Sequence, residues 1–328
     1  MGSQGVEAML ETVGDDRGFF EALYGDGRPL LAFTGLSLVL CGGFALFLSA
    51  TGQFLPHDVQ FLGMTASQLC AVQGCRVVHF MFHDRTAFGG ALIAVGILYL
   101  WLSEFPLRRG EAWAWWLLLV SGALGFGSFL AYLGYGYLDS WHGVATLLLL
   151  PVFVLGLVRS FRTLRQPRDL RCLLRQAVSV PWTSSFGIGR TLLLVTALGM
   201  IAGGLTILLV GTTHVFVPQD LMYMGLTPAN LQAINPRLVS LIAHDRAGFG
   251  GGICACGVTV LFSVWCGPAC RSLWQALCCS GFAGFTTAIG VHFAIGYLNP
   301  THLAPAFVGA ALFLAGLLLC FKPMHSHT

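Results

Sequence analysis

The sequence predicts an all-α integral membrane protein of eight transmembrane helices, arranged as two parallel four-helix bundle repeats with a pseudo-two-fold axis along the membrane normal. Hydrophobic residues make up 56% of the 328 residues and charged residues only 9%, whereas about a quarter of a soluble domain is charged. Several apolar stretches exceed the roughly 18–20 residues needed to cross a bilayer. The octamer "HDRTAFGG" at 83–90 recurs as "HDRAGFGG" at 244–251, which indicates the repeat.

Apolar runs separated by polar joints define the eight spans. Their predicted limits are 29–52, 87–104, 112–138, 141–160, 190–213, 247–266, 271–297 and 301–321. The joint before the eighth span is marked least clearly, because Pro305 falls in the first turn of that span. The chain then divides into a cytoplasmic N-terminal segment, a first repeat, an Arg-rich cytoplasmic linker, a second repeat and a cytoplasmic tail, at 1–28, 29–160, 161–189, 190–321 and 322–328.

Basic residues set the expected orientation. All but four of the 17 Lys and Arg residues fall on one side of the spans, and the four exceptions are Arg76, Arg85, Arg237 and Arg246. The positive-inside rule places the basic side and both termini in the cytoplasm. The polar, acidic N-terminal stretch predicts no cleavable signal peptide. We expect an integral membrane protein with the lipid bilayer as a partner and no nucleic acid, and the expected location is a bacterial inner membrane or an equivalent energy-converting membrane.

The octamer belongs to a longer internal repeat. "PHDVQFLGMT" at 56–65 aligns with "PQDLMYMGLT" at 218–227, and "GYLDSWH" at 136–142 aligns with "GYLNPTH" at 296–302. Aligned positions differ by 160–162 throughout, which indicates a duplicated half of four helices. Since four is even, both halves cross the membrane in the same sense, as parallel repeats do.

Four histidines recur in this repeat. Each stands at the start of a predicted span that begins on the outer face, and they are His83, His142, His244 and His302. Such a histidine also serves as a cap or an interfacial anchor, but ionisable residues in a membrane are costly and usually functional. Imidazole is the commonest metal ligand, and haem iron takes axial histidines. The pattern predicts two ligand pairs, His83 with His142 and His244 with His302.

Arginines accompany these histidines. Arg85 and Arg246 follow them within the octamer, and Arg76 and Arg237 lie seven residues before them. Guanidinium groups bind carboxylates through paired hydrogen bonds, so the arginines are candidates for binding haem propionates. An interfacial anchor, or a salt bridge to a nearby aspartate, is the alternative.

The other residues of the motif have structural explanations. Asp84, Asp139 and Asp245 are of a type common at helix N-caps, and the glycines after each motif favour close helix packing. His79 lies four residues before His83, but its aligned position holds Ser240. The dense histidine boxes of di-iron desaturases are absent from the sequence.

Two cysteines stand out among eleven. Cys70 and Cys75, in "CAVQGC", lie in the first predicted outer loop, where an oxidising environment permits a disulfide. Their aligned positions are Leu231 and Pro236, so the pair is specific to the first half. A disulfide or a redox-active dithiol is expected, with two free thiols as the alternative.

The combined pattern resembles the haem A synthase family. That family has eight spans, two four-helix halves, a histidine on the second and fourth helix of each half, and often a cysteine pair in the first outer loop. The resemblance implies that His244 and His302 ligate a resident haem b and that His83 and His142 flank a substrate haem. Two departures are visible: no Glu lies in 53–86, where the family has one before the first histidine, and an Asp separates His from Arg.

These observations predict a haem-binding membrane redox protein that carries one or two b-type haems and no nucleotide cofactor. Oxidation of the haem A synthase kind or electron transfer would take place near the extracytoplasmic face, with an electron donor or a membrane complex as partner. If the chain is an enzyme, it is a membrane-bound oxidoreductase. The alternatives are a parallel-repeat transporter or channel with a His/Asp/Arg solute site, and a structural subunit of a membrane complex.

Overall fold

The structure, a computed structural model, describes residues 18–130, 137 and 140–326, without a few side chains that include those of Trp141 and His142. Those residues form helices joined by turns, and no strand lies among them. In chain order the α-helices are α1 (Phe19–Tyr24), α2 (Arg28–Thr51), α3 (Pro56–Leu62), α4 (Ala66–Gln73), α5 (Arg76–Glu104), α6 (Ala112–Leu130), α7 (Ser140–Ser160), α8 (Ser185–Thr212), α9 (Pro218–Met224), α10 (Pro228–Ile234), α11 (Leu238–Cys266), α12 (Arg271–Ile295) and α13 (Pro300–His325).

Among the described residues, seven helices are long and apolar enough to cross a membrane, namely α2, α5, α7, α8, α11, α12 and α13. This agrees with the predicted integral membrane class. The predicted third span corresponds to α6, which is a shorter apolar helix. The rest of that predicted span, 131–138 apart from Tyr137, lies outside the described residues.

Two helices begin much earlier than the sequence predicts, by more than two helical turns. α5 begins at Arg76 rather than at 87, and α11 begins at Leu238 rather than at 247. Both octamers therefore lie inside helices, because their charged side chains are neutralised by ion pairs within the protein and do not interrupt the helix. The expectation that Asp84 and Asp245 are N-caps is wrong for this reason, and Asp139 lies outside the described residues.

Helices α5 and α11 form the centre of the described bundle. They pack against each other, and 72% and 78% of their apolar segments are buried, against 17–28% for the other candidate spans. α2 packs on α5, and α8 packs on α11. α12 also packs on α5 while α6 packs on α11, so each central helix contacts helices of both sequence repeats.

Glycines of the two octamers allow the central helices to approach their neighbours. A Cβ atom on Gly89 would lie 2.9 Å from the carbonyl oxygen of Gly42 in α2, and one on Gly250 would lie 2.8 Å from the carbonyl oxygen of Gly204 in α8. Real Cβ atoms essentially never come so close to a neighbour. The prediction that these glycines permit close helix packing is therefore confirmed.

Cys70 and Cys75 form a disulfide that links the end of α4 to the residue before α5. The chain reverses between them through Gly74 and Cys75, which have φ angles of 59° and 63°. The predicted disulfide is confirmed, and the other nine cysteines are free thiols.

Removing this disulfide is expected to lower the free energy of unfolding by about 2 kcal/mol, the lower end of the usual range, because the closed loop is short. SDS unfolding of the Cys70→Ser/Cys75→Ser double variant measures the change. Cys41→Ser is the control, since it removes an exposed free thiol. Equal unfolding midpoints for the parent and the double variant would contradict the expectation.

Candidate metal centre

Three histidines converge at one end of the central bundle. His83 comes from α5, His292 from the last turn of α12 and His302 from the first turn of α13. One ring nitrogen of each lies within 4.8 Å of those of the other two. His83 and His292 are buried, and His302 is half-buried. Metal-ligating side chains from both sequence repeats thus meet in one cluster.

Hydrogen bonds determine which nitrogen of two rings faces the cluster. His83 Nδ1 lies 2.9 Å from Asp84 Oδ1, and His292 Nδ1 lies 2.7 Å from the carbonyl oxygen of Ala288. Carboxylate and carbonyl oxygens only accept hydrogen bonds, so each Nδ1 carries the proton and donates it. In a neutral ring with its proton on Nδ1, the Nε2 atom carries the lone pair.

These two lone pairs converge, since His83 Nε2 and His292 Nε2 are 3.0 Å apart. Two acceptors at this distance repel unless a proton or a cation lies between them. A metal ion bound to both nitrogens at about 2.0–2.1 Å, with roughly 90–110° between the bonds, sets them about 2.9–3.4 Å apart. The observed distance fits that arrangement. A proton shared between two nitrogens needs no third partner, whereas a metal ion can take His302 as a third ligand.

Two residues just before α13 hold His302 in place. Asn299 is the N-cap, and its Oδ1 atom accepts the backbone N–H groups of Thr301 and His302. The Tyr297 ring stacks on the His302 ring, with centroids 4.5 Å apart. Because both contacts restrain the first turn of α13, the third imidazole stays beside the other two.

Aspartates and arginines of the octamers form one buried and one half-buried ion pair across the two repeats. Arg85 Nε lies 2.8 Å from Asp245 Oδ2, and Arg246 Nε lies 3.1 Å from Asp84 Oδ2. Both contacts join α5 to α11. The repeated "HDR" sequence therefore explains how the two central helices place charged residues against each other without leaving a charge unpaired.

Asp58, which lies outside the spans in α3, forms a second ion pair with Arg85 beside that of Asp245. Its Oδ2 atom lies 2.6 Å from Arg85 Nη1, and its Oδ1 atom accepts the hydroxyl of Tyr137 at 2.6 Å. Burial acts to raise the pKa of Asp58, but the charge of Arg85 and these hydrogen bonds outweigh it and hold the pKa below its ordinary value. Asp58 is therefore ionised at neutral pH.

Asp220, in α9, occupies the matching place on the other side. Its Oδ2 atom lies 2.7 Å from Arg246 Nη1, and its Oδ1 atom accepts the hydroxyl of Tyr297 at 2.9 Å. Burial and the charge of Asp220 raise the pKa of Tyr297 above its ordinary value. Tyr297 thus remains a hydrogen-bond donor at neutral pH.

The remaining two candidate arginines bind backbone carbonyl groups of the short helices α3 and α9. Arg76 Nη1 donates to the carbonyl oxygen of Tyr223 at 3.4 Å, and Arg237 Nη1 donates to that of Phe61 at 2.7 Å. All four arginines that the sequence suggests for haem propionates are thus engaged within the protein. Two of them form ion pairs with aspartates, and two bind the short helices that precede the central helix of the other half.

The predicted histidines are grouped in another way than the sequence suggests. His83 and His302, expected in separate pairs, lie together with ring centroids 5.9 Å apart. His244 is buried on α11, and its ring meets that of Tyr137 edge-on at 5.0 Å. The backbone of His142 is in α7, but its side chain lies outside the described part of the chain.

Sequence reasoning missed His292. Its aligned position in the first half holds Tyr132, so a search restricted to residues that recur in the repeat discards it. A usable signal was present, because an ionisable residue near the end of a predicted membrane span is itself a candidate functional residue. The centre therefore combines two repeated histidines with one that occurs in a single half.

Comparison of the chain with protein-family models, with curated proteins and with solved structures finds no match. The resemblance to the haem A synthase family consequently stays a prediction. The site has to be interpreted from its own geometry.

Proposed function

We propose that this chain is an integral membrane metalloprotein that holds one divalent transition-metal ion at His83, His292 and His302. Three neutral imidazoles suit copper, zinc and iron, and copper binds most strongly among the divalent first-row ions. Three protein ligands leave a coordination position for a substrate, which is typical of catalytic rather than structural sites. With copper or iron bound, the protein would act as a membrane-bound oxidoreductase.

One observation carries this proposal. The Nε2 atoms of His83 and His292 lie 3.0 Å apart, while both Nδ1 atoms donate to other acceptors. Protein interiors do not normally leave two lone pairs facing each other. A cation between them turns this repulsion into two ligand bonds, and His302 completes the set.

The charge of the surrounding network supports a cation. Four carboxylates are paired with only two guanidinium groups, and the six side chains are those of Asp58, Asp84, Asp220, Asp245, Arg85 and Arg246. Buried excess charge is costly unless an opposite charge lies nearby. A metal ion bound by the three histidines would place positive charge beside Asp84, which accepts a hydrogen bond from His83.

We further propose eight spans in two parallel repeats, with the metal centre at the extracytoplasmic side. Matching contacts support a pseudo-two-fold relation: the ion pair of Arg85 with Asp58 corresponds to that of Arg246 with Asp220. The helix packing corresponds in the same way, since α2 lies on α5 as α8 lies on α11. α6, the shorter apolar helix, would be the one remaining span, the third in chain order.

A haem between two histidines fits the cluster less well than a directly bound ion. Axial nitrogens on opposite faces of the macrocycle lie about 4 Å apart, twice the length of a metal–imidazole bond. His83 and His292 are closer than this and face each other directly. The arginines suggested for the propionates have partners within the protein. We therefore assign no haem chemistry to these residues.

The second candidate function is transport of a divalent cation. It is favoured by the position of the charged network between α5 and α11, because parallel-repeat transporters bind their solutes at the repeat interface. The two functions differ in whether the bound ion exchanges with ions in solution. A resident centre keeps its ion through dialysis, whereas a transport site exchanges it and moves it across the bilayer of a proteoliposome.

Metal analysis of the purified protein tests the proposal. Elemental mass spectrometry after dialysis should find close to one Cu, Zn or Fe atom per chain, and the absorption spectrum should lack a Soret band. A strong Soret band would favour the haem prediction. Absence of any bound metal, together with no Cu²⁺ uptake by the apoprotein, would overturn the proposed centre.

Orientation has its own test. A cysteine introduced at Ser67, exposed on α4, should react in intact cells with a thiol reagent that does not cross membranes, because this segment is expected outside. A cysteine at Ser179, exposed in the Arg-rich linker, should react only after the cells are opened. Labelling of Ser179→Cys in intact cells would reverse the orientation and place the metal centre on the cytoplasmic side.

A further inference from the structure

We propose that Asp84 and Arg246 are positioning residues of the metal centre, so that an arginine of the second repeat controls the geometry of ligands from both repeats. This inference rests on the proposed metal centre. Asp84 and Arg246 lie outside the ligand set, and they would determine the affinity of the centre for its ion.

The buried carboxylate of Asp84 contacts both His83 and Arg246. Its Oδ1 atom accepts His83 Nδ1–H at 2.9 Å, and its Oδ2 atom accepts Arg246 Nε–H at 3.1 Å. With both oxygens held, the carboxylate fixes the rotation of the His83 ring and keeps its proton on Nδ1. Such a partner also makes the ligating nitrogen a stronger donor to a metal.

The guanidinium group of Arg246 is also connected to His302, through Asp220 and Tyr297. Arg246 Nη1 lies 2.7 Å from Asp220 Oδ2, and Asp220 Oδ1 accepts the hydroxyl of Tyr297. The Tyr297 ring stacks on His302, with centroids 4.5 Å apart. One arginine thus supports His83 on one side and His302 on the other.

The repeat supplies a matched comparison inside the same molecule. Asp245 and Arg85 occupy the equivalent motif positions and form the equivalent ion pair, with Nε and Oδ2 2.8 Å apart. Within the described part of the chain, the hydrogen bonds of Asp245 go to Arg85 and not to the three histidines. A change at Asp245 therefore removes the equivalent ion pair of the other repeat without touching a ligand.

The experiment measures the affinity of the full-length protein for Cu²⁺ by competition with a chelator, for Asp84→Asn and Asp245→Asn. Loss of an outer-shell carboxylate weakens metal binding by about 10–100-fold, and we expect this for Asp84→Asn. For Asp245→Asn we expect a change of about twofold or less, as for independent sites. The electron paramagnetic resonance spectrum of bound Cu²⁺ should change only in Asp84→Asn, because only this variant frees the His83 ring.

A milder pair of variants covers the case in which an Asn variant does not fold. Arg246→Lys keeps the charge but cannot span Asp84 and Asp220 as the guanidinium does, so it should weaken Cu²⁺ binding more than Arg85→Lys does. Equal effects within each pair, in a parent that binds Cu²⁺, would overturn the positioning roles and leave the metal centre intact. A parent that binds no Cu²⁺ would instead overturn the metal centre itself.

Discussion

Replacing His292 by alanine is expected to weaken Cu²⁺ binding by more than about 100-fold, beyond the range found for outer-shell changes. The variant removes one of two nitrogens that face each other at 3.0 Å, and the remaining two ligands cannot replace it. His83→Ala should have an effect of similar size. Chelator competition in detergent measures both affinities against that of the parent.

His214→Ala is the matched control for these variants. His214 is exposed between α8 and α9, so its removal takes an imidazole from the same end of the molecule without entering the cluster. The affinity of the His214→Ala variant for Cu²⁺ should equal that of the parent. If the parent binds Cu²⁺ tightly and both His292→Ala and His83→Ala keep that affinity, the ion is bound elsewhere and the assignment of the centre is wrong.

Membrane class was predictable from sequence because the physical requirement is simple. A segment that crosses the hydrocarbon core needs length and apolar side chains, and both are visible in composition. Most of the predicted spans agree with helices that are long and apolar enough to cross. The predicted starts of α5 and α11 were wrong, because the charged "HDR" residues were interpreted as part of a polar loop. Only the tertiary ion pairs between Arg85, Asp245 and their counterparts make these residues acceptable within a helix.

The candidate site was predictable only in part. Repetition selected His83 and His302 but said nothing about which helices lie side by side. The pairing within each half assumed that each four-helix repeat packs as a separate bundle. In the structure α12 packs on α5, which brings His292 and the adjoining His302 to His83. Contact between repeats depends on side-chain packing along whole helices, and no local pattern in the sequence encodes it.

Removing the Arg85 side chain is expected to cost about 3–5 kcal/mol of unfolding free energy, the usual effect of breaking a buried ion pair. Arg85→Met leaves the buried Asp58 and the half-buried Asp245 without their guanidinium partner. Since the pKa of Asp58 is held low by Arg85, that carboxylate bears a charge at neutral pH that the variant no longer compensates. SDS unfolding of the purified protein measures the loss.

Two comparisons separate the buried pair from a general effect of charge. Arg108→Met removes the same charge from an exposed position and should change the unfolding free energy by only about 0.5 kcal/mol or less. The triple variant Arg85→Met/Asp58→Asn/Asp245→Asn removes the two uncompensated carboxylates, and it should recover much of the stability, because a neutral replacement of a buried ion pair is often tolerated. If Arg85→Met unfolds no more easily than Arg108→Met, the arginine contributes nothing through its carboxylate partners. The repeated "HDR" motif would then need an explanation other than the joining of α5 to α11.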